Sequence, residues 1–212
     1  MIRAIVLAAG ASSRMGQAKA ALPLGTTGDT VVSRVVATLL AAGLPSVAVV
    51  AGAHIDAVRG AMPRFEPRAC VIEHPGWAQG QLSSLLAGLA AVDDPQLEAI
   101  LVTLVDVPLV RPDSVAAIVH AWRQTRAPIV RPVDGDRHGH PVVFDRAVFD
   151  DLRCADPAVG AKAVFAAHAS RRLDVSISDD GAFLDIDTPT EYRIVQAMAI
   201  DKLVESPGRE SA

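Results

Sequence analysis

Short β-branched runs alternating with longer alanine- and leucine-rich segments predict an α/β domain around a largely parallel sheet. Two further observations point the same way. The strand candidates are apolar almost without interruption, as expected for strands covered by helices on both faces. A length of 212 residues, half of them hydrophobic, also suits one domain of ordinary size with a sizeable core.

Taken in order, strands are expected over residues 2–7, 46–50, 69–73, 99–105 and 129–130, with helices over 30–42, 55–61, 83–92 and 112–124 between them. Asp29 marks a helix start by side-chain capping, and Arg111-Pro112 by proline in the first turn. Gly43 stands where a glycine stop belongs. Beyond residue 132 the rhythm changes. Asp134-Gly135-Asp136 forms a turn, followed by a strand over 141–144, helices over 146–152 and 160–168, strands over 173–176 and 183–186, and a final helix from Pro189 to about Val204. With no glycine-, serine- or proline-rich linker between the halves, the second half is expected to be a more antiparallel extension of the same sheet. Residues 1–204 then form one domain, and the polar residues 205–212 are expected to fray.

Composition narrows the function. Twenty Lys and Arg against 24 Asp and Glu give a net charge of −4, the wrong sign for a sequence-independent nucleic-acid binder. Apolar stretches fall short of the ~18 residues of a membrane span, and the first residues lack the layout of a signal peptide. Cys70 and Cys154 stand apart from each other and from any histidine at metal-ligand spacing, which argues against a zinc site or disulfide framework and for the cytoplasm. A domain that handles a small molecule, without nucleic acid or membrane as partner, is what remains.

The strongest local signal comes directly after the first strand: Leu7-Ala8-Ala9-Gly10-Ala11-Ser12-Ser13-Arg14-Met15-Gly16-Gln17-Ala18-Lys19. Small residues in this position let backbone N–H groups approach an anion. Arg14 offers a planar fork for phosphate oxygens and Lys19 a point charge. The segment is neither a Walker loop nor a dinucleotide-binding glycine pattern. By composition alone it also fits an ordinary βα turn with two solvated cations.

Leu-Ala-Ala-Gly-x-Ser-x-Arg-Met-Gly-x-x-Lys resembles the signature of nucleotidyltransferases that act on sugars and on molybdopterin. Within the MobA-like nucleotidyltransferase family, the molybdenum cofactor cytidylyltransferase group is the nearest pattern. The resemblance implies a three-layer Rossmann-like nucleotidyltransferase fold. It also implies that Leu7, Ala8, Ala9, Gly10, Ser12, Arg14 and Lys19 wrap a nucleoside triphosphate, Arg14 and Lys19 with a catalytic role. Guanylyltransferase relatives usually carry Gly where this chain has Ala9, which points to CTP over GTP.

Further motifs extend the resemblance. Trp77-Ala78-Gln79-Gly80-Gln81-Leu82-Ser83-Ser84 resembles a second element of the group, with Gly80, Ser83 and Ser84 offering hydroxyls and free N–H groups to a base or ribose. An ordinary N-cap with Trp77 as a core anchor fits the same residues. His74-Pro75 replaces a common Asn-Pro, and Gln81 a common Met. Asp106 ends a buried strand, where ligands of open α/β sheets bind, and a carboxylate there can hold Mg²⁺ together with triphosphate oxygens. The resemblance makes Asp106 the principal metal ligand and a catalytic residue; a turn cap is the structural alternative.

Asp185-Ile186-Asp187-Thr188-Pro189 resembles the Asp-Ile-Asp-Thr-Pro motif of the group. Strand alternation would put both aspartates on one side. Asp187 is taken as the second metal ligand, and Asp185 as a secondary candidate on the acceptor side. The same segment also fits a normal helix start. Arg137-His138-Gly139-His140-Pro141 is similar to the Gly-His-Pro element and places His140 toward the second substrate, or simply in a solvated loop. Gly160-Ala161-Lys162 is similar to a Gly-Ala-Arg element, with Lys162 an anchor for the acceptor's phosphate.

The implied reaction joins CMP from CTP to the terminal phosphate of a molybdopterin-type cofactor and releases pyrophosphate, with Mg²⁺ as cofactor and a molybdenum hydroxylase as the eventual client. Three other outcomes suit the same architecture: guanylyl transfer from GTP, an NAD(P)H-dependent oxidoreductase of the nicotine blue type, and a non-catalytic nucleotide-sensing or delivery protein.

Overall fold

Strand β1 (Ile2–Ala8) runs through the middle of the sheet, and its alternation organises both layers that cover it. Ala4, Val6 and Ala8 face one helical layer, while Ile5 and Leu7 face the other. The computed structural model describes residues 1–204, so the tail expected over 205–212 lies outside the described residues. Beside β1 lie β2 (Val47–Ala51), β3 (Ala69–Glu73) and β4 (Ala99–Leu104), joined by parallel pairings. The sheet continues with β5 (Ile129–Asp134), β6 (Arg137–His138) and β7 (Val142–Asp145), in the spatial order β3-β2-β1-β4-β7-β5-β6. Antiparallel pairing of β7 with β4 and β5 makes the expected extension, and β8 (Leu173–Ser176) adds to β5 in parallel.

Helices α1 (Val31–Ala41), α2 (Ile55–Gly60), α4 (Pro112–Thr125) and α7 (Pro189–Val204) cover one face, through residues such as Val36, Val58, Ile118 and Val195. On the other face lie α3 (Gln81–Val92), α5 (Phe149–Cys154) and α6 (Lys162–Ala167), packed through Leu85, Leu89, Leu152 and Val164. Gly88 lets α3 sit directly on the sheet: a Cβ there would stand 2.7 Å from Ile5 Cγ2 and 2.9 Å from Val50 Cγ2. That close approach sets where the N-terminus of α3 falls relative to the end of β1.

Local signals account for most element ends. Pro112 occupies the first turn of α4, Gly43 takes φ +87° after α1, and Gly135 with Asp136 makes the two-residue turn between β5 and β6. Four expectations need correction, the last of them the strand over 183–186. Asp29 does not cap α1. Thr30 does, in a reciprocal capping box with Ser33, while the Asp29 carboxylate takes Thr27, Arg34 and Arg64. The helix expected from Ser83 begins at Gln81, and the one expected over 146–152 is a 3₁₀ turn (Arg146–Val148) leading into α5.

Residues 183–186 are no strand, despite their alternation. Just before them, the Asp179 carboxylate accepts from the Arg111 N–H (2.8 Å) and the Ser114 hydroxyl (2.7 Å), which turns the chain into a 3₁₀ turn (Asp180–Ala182) against the β4–α4 connection. Residues 183–186 then cross the end of β4 as a strap, held by an N–H···O bond from Ile186 to Asp106 (2.9 Å).

The junction of β5 with β8 is braced by a directly opposed pair. Arg131 donates to both oxygens of Asp174 (2.8 and 3.2 Å), and Arg172 does the same from the other side (2.9 and 3.2 Å). These guanidinium bonds hold the Asp174 carboxyl down at about 2. A carboxyl depressed in the folded state contributes stability above its unfolded value near 3.8, and loses it as the pH falls toward the folded value. Because the side chain is one-third exposed, solvent screening keeps the contribution below about 1 kcal/mol. Asp174→Asn is therefore expected to lower the Tm at pH 7 by no more than about 2–4 °C. In melts at successive pH values that deficit should narrow below about pH 4.

Candidate active site

Parallel pairing of β1 with β4 carries the small-residue loop and Asp106 to the same edge of the sheet. Between them opens a cavity of about 410 Å³. Leu7, Ala8, Ala9 and Gly10 form one wall, Gly80 and Ser84 another, and Ser12, Arg14, Lys19, Asp106 and Asp187 supply its polar groups.

The loop is a tied structure. Ser12 takes φ +52°, its carbonyl accepts from the N–H groups of Met15 (2.9 Å) and Gly16 (3.2 Å), and its Oγ accepts from the N–H of Lys19 (3.2 Å). Met15 is buried and pins the loop to the core. These bonds turn Lys19 inward.

Lys19 Nζ donates to Asp106 Oδ2 (3.2 Å) and Asp187 Oδ1 (3.0 Å), with only a tenth of its side chain exposed. Arg14, at the solvent edge, donates to Asp187 Oδ2 (2.8 Å). Burial pushes the Asp106 carboxyl above the usual carboxylate range despite the nearby Lys19 ammonium. Asp187, by contrast, is held below it, first by its hydrogen bond from Lys19.

Thr188 and Glu191 explain why Asp187 is free for this role. Glu191 Oε2 accepts from the N–H groups of Asp187 (2.9 Å) and Thr188 (2.7 Å), and Thr188 Oγ1 accepts from the Glu191 N–H (3.3 Å). The pair forms a capping box for α7, so the Asp187 side chain is not needed as a cap. Asp185 is exposed; it lies near enough to Asp106 and His140 for its charge to be felt at both.

Whether the carboxylates suit a divalent cation can be judged from their remaining capacity. Asp106 Oδ1 is buried with no hydrogen-bond partner, a costly state for a carboxylate oxygen in a protein interior. Among the described residues no group of three or more His, Cys, Asp or Glu is arranged to hold a metal. Asp106 and Asp187 therefore fit a cation whose other ligands come from a bound anion and water, as hard cations at phosphate sites commonly arrange.

A second cavity of about 560 Å³ adjoins the first, and Leu7, Gln81 and Leu104 line both. Its walls are largely apolar, with Phe144 and Phe165 meeting edge to face at 5.6 Å, and His140, Arg131 and Lys162 among its polar groups. Lys162 is exposed at the start of α6. His140 is half-buried, its Nδ1 without a partner, and burial holds the ring below its ordinary pKa.

Ser83 is not brought into either cavity. Its hydroxyl donates to the Gly80 carbonyl (2.7 Å) and lies 3.0 Å from His74 Nε2. Gly80, at φ +103°, makes the turn that aims the first residues of α3 at the first cavity. Three wall residues are given no site role from the sequence. His54 lies on the first cavity with Nε2 3.0 Å from the Ala11 carbonyl oxygen, Gln81 stands on the shared wall, and Arg131 lines the second cavity. His54 could have been found from its place just after β2, the neighbour of β1, where strand ends converge.

An open, mostly parallel sheet with a small-residue loop after its first strand, and cations facing carboxylates at the strand ends, is the architecture of a nucleotidyltransferase. The chain belongs to the MobA-like NTP transferase domain family, whose pattern matches residues 4–173. It is 31% identical over 201 residues to the nicotine blue oxidoreductase of Paenarthrobacter nicotinovorans, covering 92% of this chain and 96% of that protein. A probable molybdenum cofactor guanylyltransferase of Mycolicibacterium paratuberculosis is 33% identical over 134 residues, 63% of this chain and 64% of that one. Among solved structures, Rv0371c of Mycobacterium tuberculosis H37Rv superposes with a TM-score of 0.73 at 31% identity, over 92% of this chain and 97% of its own. The same protein is also known in complex with manganese (TM-score 0.70, 29% identity, 92% and 98% coverage).

The bridging role of Lys19 leads to a stability prediction. Lys19→Met leaves Asp106 and Asp187 facing each other with no ammonium between them. By the cost of breaking a largely buried ion pair, about 3 kcal/mol, thermal unfolding at pH 7 should show a Tm lower by about 6–12 °C. An unchanged Tm would mean that the bridge carries no net stabilisation.

Proposed function

We propose that this chain transfers CMP from CTP to the terminal phosphate of a molybdopterin-type cofactor, releasing pyrophosphate. The observation that carries the reading is the pair of adjoining cavities. One has an anion loop with cations and carboxylates, the other is apolar with a few polar groups, and they meet at Leu7, Gln81 and Leu104. A donor and an acceptor bound side by side need this arrangement, because reacting atoms must approach to within about 3–3.5 Å.

An oxygen of the acceptor phosphate forms the new bond to the α-phosphorus, and the bond from that phosphorus to the bridging oxygen of the β-phosphate breaks. A phosphate monoester with a second pKa of ~6 is already mostly ionised at neutral pH, so no general base is required. The task left to the protein is to bring two anions together. On this reading Arg14 and Lys19 exchange their carboxylate partners for triphosphate oxygens, while loop N–H groups approach the same anion. Asp106 and Asp187 would hold Mg²⁺, which when bound neutralises charge on the triphosphate. The Rv0371c complex with manganese supports a divalent cation in this type of protein. Lys162 supplies the cation at the mouth of the acceptor cavity.

Support for CTP over GTP comes from Ala9. It is a buried residue on the wall of the first cavity, at the position where guanylyltransferase relatives usually carry Gly. A second reading comes from the nicotine blue oxidoreductase, similar along nearly its whole length. There the apolar cavity beside Phe144 and Phe165 would take a flat heteroaromatic without phosphate.

Thermal shift with CTP, GTP, ATP and NADPH, each with and without Mg²⁺, separates these readings, since stabilisation grows with ligand over its dissociation constant. CTP-selective, metal-dependent stabilisation is expected; a response to NADPH alone would favour the oxidoreductase. Ala9→Gly should raise kcat/KM for GTP relative to CTP. In Asp106→Asn, pyrophosphate release is expected to fall by at least about a hundredfold. Its Tm should stay near the wild-type value, because a carboxyl whose pKa is raised by folding opposes folding when ionised at pH 7. Near-normal turnover would refute the role given to Asp106. Lys162→Ala should weaken acceptor affinity and leave CTP affinity intact.

A further inference from the structure

The second cavity is lopsided in charge. Its wall holds Arg131, His138, His140 and Lys162, and among the described residues no aspartate or glutamate. The chain as a whole has 24 Asp and Glu against 20 Lys and Arg, so composition does not account for an all-basic lining. The bases are unequal. His138 and Lys162 are exposed, and burial holds His140 below its ordinary pKa and hence neutral at pH 7. Arg131, with 12% of its side chain exposed, is the charge set inside.

Strand register fixes where that charge stands. Val102 of β4 lies opposite Val142 of β7, and continuing the β7–β5 pairing by one residue sets Val142 opposite Arg131. Val102, Val142 and Arg131 all line the cavity. Its floor therefore runs from two valines to a guanidinium two strands, about 10 Å, beyond β4. The first cavity meets the second at Leu104 of β4, so Arg131 marks the end remote from the donor side.

The guanidinium is held in one orientation. Nε and Nη2 donate to the Asp174 oxygens (2.8 and 3.2 Å), and the group lies 5.8 Å from the centroid of the Phe165 ring. Asp174 is shared with Arg172, so the cluster keeps one positive charge in surplus. With its Nε and Nη2 edge taken by Asp174, Nη1 has no partner among the described residues. An oriented N–H donor beside apolar and aromatic walls suits an oxygen on the edge of a flat ring, and disfavours another donor there. If donor and acceptor bind side by side as proposed above, on which this inference rests, the acceptor's phosphate stands at the Leu104 end and its ring system at Arg131.

We propose that Arg131 selects the acceptor by its ring, donating from Nη1 to a carbonyl oxygen on the edge of a flat, lactam-bearing heteroaromatic. Two fluorescent probes differ at that edge. 6-Hydroxymethylpterin carries a carbonyl oxygen where 2,4-diamino-6-hydroxymethylpteridine carries an amino group, a donor that the guanidinium repels. In titrations of the full chain, with and without CTP, the wild type should bind the oxo compound about tenfold or more tightly than the diamino one, as expected for a hydrogen bond to a charged group. Arg131→Met keeps the side chain's length and leaves Asp174 with Arg172. It should abolish the preference by weakening the oxo compound alone, and Arg131→Lys should recover part of it. Loss of packing would weaken both probes together. That result, or a preference that survives in Arg131→Met, overturns the assignment while leaving the acceptor reading in place. Equal binding of the two probes by the wild type overturns it as well, and needs no variant to fold. If the wild type binds neither probe, the acceptor half of the proposed function falls and takes the assignment with it, whereas the response to CTP judges the donor half separately.

Discussion

The ammonium of Lys19, set between Asp106 and Asp187, joins three parts of the chain that lie far apart in sequence. Lys19 comes from the loop after β1, Asp106 from the end of β4, and Asp187 from the strap ahead of α7. Each carboxylate alone would be poorly placed. Asp106 is desolvated with one oxygen unpartnered, and Asp187 is drawn inward by Lys19 and Arg14. A cation between them offsets a repulsion that would otherwise grow as water is excluded. On the proposed reading, a phosphate that takes Lys19 and Arg14 would leave two carboxylates free for a divalent cation.

Around this bridge the sheet divides the labour. Parallel strands on one side bring loop and carboxylate together at their C-terminal ends. On the other side, the antiparallel strand β7 brings His140 to the edge of β4, and β5 brings Arg131 to the second cavity. The change of strand direction is what lets two cavities meet along one strand end. Gly88, by seating α3 on β1 and β2, fixes the wall that separates them, with Gln81 at its first turn.

Much of this was legible in the sequence because local chemistry and global fold agree. The β1 loop, the proline opening α4 and the glycine after α1 each announce a backbone conformation that the fold uses. The capping residue of α1 was misplaced by one position, since Asp29, Thr30 and Ser33 all have capping chemistry and only their partners distinguish them. Residues 183–186 alternate like a strand, yet Asp179 and its donors from residues 111 and 114 turn the chain first. His54 carries no motif that would single it out; it matters through what stands opposite it.

The sequence by itself determined the class of fold and the position of the small-residue loop after β1, because both rest on periodicity and on residues near one another in the chain. It also marked Asp106 and Asp187 as residues at element ends. Tertiary structure decided that these two carboxylates share one ammonium, that the Ser83 hydroxyl turns to its own helix turn and His74, and that His140 faces a cavity rather than solvent. Most of those outcomes depend on groups far apart in the chain or on cavity walls drawn from several elements. Propensity cannot encode such distances; strand order and helix packing do.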